Sequence, residues 1–131
     1  MGKGDRRERQ AVSLLQRAGY ATYRPATVRF GENDMFGLFD VMAMAPHRPP
    51  RAVQVKSNRA TGIRAWTRHT SLWRAHGFLT EYWVPVDNRG WRVIAARDNG
   101  HMDVYDGRGS PHAIGDGLVR WLQSDTDGSH E

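Results

Sequence analysis

Apolar residues early in the chain recur at helical spacing. Ala11, Leu14, Leu15 and Ala18 stand at i, i+3, i+4 and i+7, which predicts an amphipathic helix over residues 6–18, with Asp5 as N-cap and Gly19 as its stop. Residues 20–29 favour strand through Tyr20, Thr22, Tyr23, Thr27 and Val28, with Pro25 marking an edge. Residues 31–37 read as a polar loop, 38–45 as an apolar segment broken only by Asp40, and 46–50 as a proline-rich turn. In residues 52–56 the pattern changes to strict alternation, Val53 and Val55 on one face, Gln54 and Lys56 on the other. The two runs and their turn predict a hairpin.

Residues 57–62 read as a loop and 63–76 as a second helix carrying Trp66 and Trp73 on one stripe, ended by Gly77. Strands follow at 78–86 and 91–96, joined through Asp87-Asn88-Arg89-Gly90, and a further short strand at 101–105. A last helix over 111–123 sets Ile114, Leu118, Trp121 and Leu122 on one face, with Pro111 in its first turn. The order helix, strands, helix, strands, helix predicts an α/β fold. One mixed sheet flanked by helices would occupy residues 1–123 as a single domain, and 124–131 would form a polar tail.

Composition narrows the function. The 131 residues suffice for one core, and the absence of cysteine excludes a disulfide framework, a thiolate zinc site and a cysteine nucleophile. The six histidines show no metal-ligand cluster, and no apolar run approaches the length of a membrane span. A cytoplasmic protein is the expectation, in the host cytoplasm if phage-encoded. The net charge of +5 and a pI near 10.2 point to a polyanion, nucleic acid before others. The basic residues are 17 arginines and two lysines, Lys3 and Lys56, so each lysine stands out.

Residues two apart on a strand share a side and lie roughly 6.6 Å apart, so Gln54 and Lys56 project together. Hairpin pairing lets Asp40 project to the same side. A carboxylate, an amide oxygen and an ammonium at one end of a sheet suit phosphodiester chemistry. Asp40 can hold Mg²⁺, a hard cation that takes oxygen ligands, polarises a phosphate and activates water. Lys56 can orient or deprotonate that water or stabilise charge growing on the phosphate; arginine, with a pKa above about 12, is a poor proton acceptor. The ordinary alternatives are a solvated strand-end lysine and an aspartate satisfying a turn. Glu8 lies within about 20° of Leu15 on the first helix, on or beside the apolar stripe, and is aimed toward the sheet. There it would add an acidic group to the metal, or simply favour the helix dipole.

Glu8 on a first helix, Arg17-Ala18-Gly19-Tyr20 leading into Tyr23-Arg24, then Phe39-Asp40 and Gln54-Val55-Lys56 resemble the PD-(D/E)XK nuclease superfamily. Within it the likeness is to the small archaeal and phage Holliday junction resolvases, over residues 3–57 and more loosely to Trp73. The resemblance implies a restriction-endonuclease-like core and a Mg²⁺-dependent homodimeric endonuclease, with Mn²⁺ as a substitute, that cuts branched DNA by phosphodiester hydrolysis. It implies no small-molecule cofactor. Glu8, Asp40, Gln54 and Lys56 match the family's acidic, acidic, acidic and lysine positions, and the metal would be held by Asp40, Gln54, Glu8 and the backbone carbonyl of Val55. The chain departs from the pattern in two places. Phe39 replaces proline, and Gln54 replaces the usual glutamate or aspartate, keeping an oxygen but losing a charge. Asp34 is a candidate to restore that charge, or it caps a turn.

Arg6, Arg7 and Arg9 cluster at the start of a helix, where cations oppose the macrodipole and nearby phosphates would make sense of them. Arg59, Arg64 and Arg68 follow the candidate strand and would add contacts to the DNA backbone. Trp66, Trp73 and Trp121 are core residues first, although one stripe would serve a two-fold interface. Two other readings are compatible with the same residues: a nuclease of the same fold with a restriction-type or nicking target, and a catalytically silent DNA-binding module, which Gln54 favours.

Overall fold

The computed structural model describes residues 3–24, 38–56, 62–86, 90–107 and 115–124. Asp34, Arg59 and Pro111, and the segments 25–37, 108–114 and 125–131, lie outside the described residues.

Helix α1 (Lys3–Arg17) buries Ala11, Leu14 and Leu15 and is followed by Gly19 at φ 100°, a conformation glycine adopts without steric cost. The helix starts three residues earlier than its apolar stripe suggests, so Asp5 lies inside it and is not the N-cap. Of the three arginines only Arg6 falls in the first turn, which weakens the dipole argument for Arg7 and Arg9 because that effect fades within a turn.

Six strands form one sheet in the order β1-β2-β3-β4-β5-β6: β1 (Ala21–Tyr23), β2 (Val41–Met44), β3 (Arg51–Val55), β4 (Leu79–Val86), β5 (Gly90–Arg97) and β6 (Gly100–Asp106). The described part of the expected first strand is confined to β1. The β2–β3 hairpin forms, with Val41 opposite Val53 and Met42 opposite Ala52. The β3–β4 pair is parallel and every other neighbouring pair antiparallel, so the sheet is mixed. Parallel neighbours require a crossover, and α2 (Ile63–His69) with α3 (Ser71–Ala75) supplies it.

The tryptophan stripe predicts one helix over 63–76, but the crossover breaks at Thr70. The Thr67 carbonyl, which a continuing helix would give to residue 71, accepts from Thr70 Oγ1 at 3.1 Å and from Arg74 Nη2 at 2.8 Å. Arg74 Nη1 also donates to Thr70 Oγ1 at 2.6 Å. Side chains thus satisfy the backbone group that would have propagated the helix.

The sheet separates two apolar layers. On one face α1 and α4 (Asp116–Ser124) pack Ala11, Leu15, Leu118 and Leu122 against Val41, Val53, Val55 and Trp83. On the other, Trp66 and Trp73 of the crossover pack with Phe39, Ala52, Tyr82 and Val84. Both crossover tryptophans meet Phe39 edge-on, with ring centroids 6.2 and 5.4 Å away. Trp121 is half-buried, with Tyr105 at 5.7 Å.

Within the α1/α4 layer lies a buried polar network that no periodicity announced. Arg51, fully buried, forms an ion pair with Glu81, donates from Nε to Tyr20 Oη at 3.0 Å and lies 5.1 Å over the Trp121 ring. Trp83 Nε1 donates to the second Glu81 oxygen at 3.1 Å.

Candidate active site

The chain ends of β3 and β4 and the residue before β2 meet at one end of the sheet. Trp66 Nε1 donates to the Leu38 carbonyl at 2.8 Å, which ties the entry to β2 down to the crossover helix. The next residues are buried, Phe39 completely and Asp40 to 7% exposure. The Asp40 backbone N–H donates to the Val53 carbonyl, and its Oδ2 accepts the Val55 N–H, both at 2.8 Å. The carboxylate is therefore held at the peptide that joins Gln54 to Val55. Proline-free sequence on both sides permits this, because each of these bonds needs a backbone donor.

Gln54 is half-buried, and its Oε1 is sealed from solvent with no hydrogen-bond partner; among the described residues it is the one buried side-chain polar atom so placed. A buried acceptor left unmade costs about 1–3 kcal/mol, so this oxygen is suited to a ligand that accepts its lone pairs. A cation is such a ligand. Among the described residues no three histidine, aspartate or glutamate side chains gather. Asp40, the Gln54 amide and the Val55 carbonyl offer oxygen atoms of the kind that a hard divalent ion takes.

The ladder continues past β3, where the Lys56 N–H donates to the Trp83 carbonyl at 2.9 Å. Lys56 is half-buried, and its Nζ sits 5.7 Å from the centroid of the Tyr82 ring. Tyr82 is directly in register with Gln54 on the parallel neighbour. Burial, and secondarily the Asp40 carboxylate, push the Tyr82 hydroxyl above its ordinary pKa, so the phenol stays neutral beside that carboxylate. Sequence reading missed Tyr82 because the residue lies 26 positions beyond Lys56, on a strand whose register only the crossover sets.

Glu8 is oriented inward, as its helical position suggests, but the group its Oε1 meets is Arg24 Nη2, at 2.9 Å. Arg24 follows Tyr23, which pairs with Met42, so this ion pair stands near the Asp40 end of the sheet. Arg6 and Arg9 are exposed on α1, and Arg7 donates to Gln10 at 3.1 Å. Arg64 and Arg68 are exposed and line a groove of about 400 Å³ with Thr67, Asp98, Gly100 and His101. The β5–β6 turn in that groove adjoins the start of β4, the end of the sheet away from Lys56. No described helix is long and apolar enough to cross a membrane.

Neither a family model nor a curated protein matches the chain. Its fold matches the solved structure of Hjc from Archaeoglobus fulgidus, a Holliday junction resolvase from an archaeal hyperthermophile. The TM-score is 0.56 over 80% of this chain and 85% of that one, at 19% identity. The restriction-endonuclease-like arrangement and the likeness to resolvases expected from sequence are thus borne out at the level of fold.

Proposed function

We propose that this chain is a divalent-metal-dependent endonuclease of branched DNA, a Holliday junction resolvase that works as a homodimer. The observation that carries the reading is the partnerless, buried Gln54 oxygen on the strand whose Val55 N–H anchors the Asp40 carboxylate, with Lys56 next in the chain. Asp40, Gln54 and the Val55 carbonyl would hold Mg²⁺, with Glu8 contributing through water if it leaves Arg24. When bound, the ion would polarise the scissile phosphate and make water more acidic. Lys56 donates hydrogen bonds to the attacking water and to phosphate oxygens as their charge grows. Two copies related by a two-fold axis would set two such sites on symmetric strands.

The test is incubation of the protein with Mg²⁺ and a labelled four-way junction, beside linear duplex and single strand. Paired symmetric nicks confined to the junction are expected. Cutting of linear duplex would move the target to a restriction-type or nicking enzyme, and binding without cutting would favour the silent module, the reading that the uncharged Gln54 supports.

Two substitutions probe the parts separately. Gln54→Glu restores a charge to the site, and the Mg²⁺ concentration for half-maximal cutting should fall about tenfold. In chelator the same variant should melt below the parent, because it buries a second carboxylate in the hairpin that already holds Asp40, and Mg²⁺ should close that gap. Arg6→Ala with Arg9→Ala should weaken junction and duplex binding alike. The salt slope should shrink by about one for each phosphate that the variant no longer neutralises, read from titrations at several salt concentrations.

A further inference from the structure

We propose that Tyr82 is the positioning residue of this site: its ring captures the Lys56 ammonium and holds it at the end of β3, beside Asp40. The inference rests on the nuclease reading above for its catalytic consequence, while the contact itself stands on geometry. A lysine stem has four rotatable carbons and loses much rotamer entropy when its head is fixed. The backbone places only its Cα, through the bond to Trp83. The head group needs a partner, and the Tyr82 ring centroid at 5.7 Å lies within the range of about 6 Å for an ammonium over an aromatic face.

The ring is itself held. Tyr82 is 2% exposed, and Trp66 packs against it with centroids 4.9 Å apart at 54°. Trp66 is the residue whose indole N–H holds the Leu38 carbonyl and whose ring meets Phe39. One aromatic cluster thus braces both the segment that delivers Asp40 and the ring beneath Lys56. A purely space-filling tyrosine would account for the packing against Trp66 but not for an ammonium drawn over its ring.

The scarcity of lysine makes the contact directly measurable. With only Lys3 and Lys56 in the chain, lysine-selective ¹³C labelling yields two side-chain signal sets, and Lys56→Arg identifies which is which. In the parent protein the Lys56 ε-methylene protons should be shifted upfield of free lysine by the ring current, a shift kept in Tyr82→Phe and absent in Tyr82→Leu. On a four-way junction Tyr82→Leu should cut about tenfold more slowly at unchanged junction affinity, and Tyr82→Phe should recover most of that rate. A Lys56 signal at the free-lysine position in the parent protein overturns the proposal whatever the activity, and so does Tyr82→Leu that cuts at the parent rate. Should Tyr82→Leu fail to fold, the parent and Tyr82→Phe spectra still decide. A parent protein that shows the shift but cuts no DNA overturns the nuclease reading and leaves the lysine contact standing.

Discussion

Asp40→Asn is expected to lower junction cutting by about a thousandfold or more while junction affinity stays within about threefold of the parent. The size follows from the several kcal/mol that a metal-held, polarised phosphate contributes to the transition state, each 1.36 kcal/mol being a factor of ten. An amide at position 40 can still accept the Val55 N–H through its oxygen, so the local backbone has no reason to move. What disappears is the negative charge, and with Gln54 neutral no described side chain beside Val55 replaces it. Single-turnover cutting and equilibrium binding on the same junction separate the two effects. Lys56→Ala should follow the same pattern with a smaller loss, about a hundredfold, because it removes hydrogen-bond donors and leaves the metal ligands intact. Retained cutting in either variant would remove that residue from the site.

The second large effect concerns stability. Glu81→Gln removes the carboxylate that pairs with the fully buried Arg51 guanidinium, and breaking a buried pair at one partner costs about 3–5 kcal/mol. For a domain of this size that corresponds to a fall of about 10 °C or more in melting temperature, read by calorimetry or circular dichroism. Arg51→Met combined with Glu81→Leu should recover most of the loss, since replacing a whole buried pair with apolar side chains is often neutral or better. A Glu81→Gln protein that melts with the parent would mean that the charge of Glu81 is not what satisfies the buried guanidinium.

Much of the architecture is legible because it is written in short periods. The 3.6-residue recurrence through Ala11, Leu14, Leu15 and Ala18 and the two-residue alternation through Val53 and Val55 depend only on neighbours, and both elements form. Where side chains compete with the backbone the pattern misleads. The tryptophan stripe in residues 63–76 is continuous, yet Thr67, Thr70 and Arg74 interrupt the helix with hydrogen bonds that hydrophobicity does not register. Helix starts escape for a related reason. The apolar stripe of α1 begins at Ala11, about two turns after the helix does, so neither the cap nor the dipole environment of its arginines follows from the stripe.

The site divides along the same line. By itself the sequence determined that Gln54 and Lys56 share a strand face and that a hairpin returns Asp40 to their level, both from spacing within a few residues. Only the tertiary structure decided what those groups touch. Tyr82 reaches Lys56 through a parallel register that a crossover of two helices sets, Glu8 finds Arg24 across the first helix and strand, and Arg51 finds Glu81 across 30 residues of chain. Such partners are chosen by burial, which forces each charge removed from water to find its counterpart wherever the fold brings one within reach, and no local period encodes that choice.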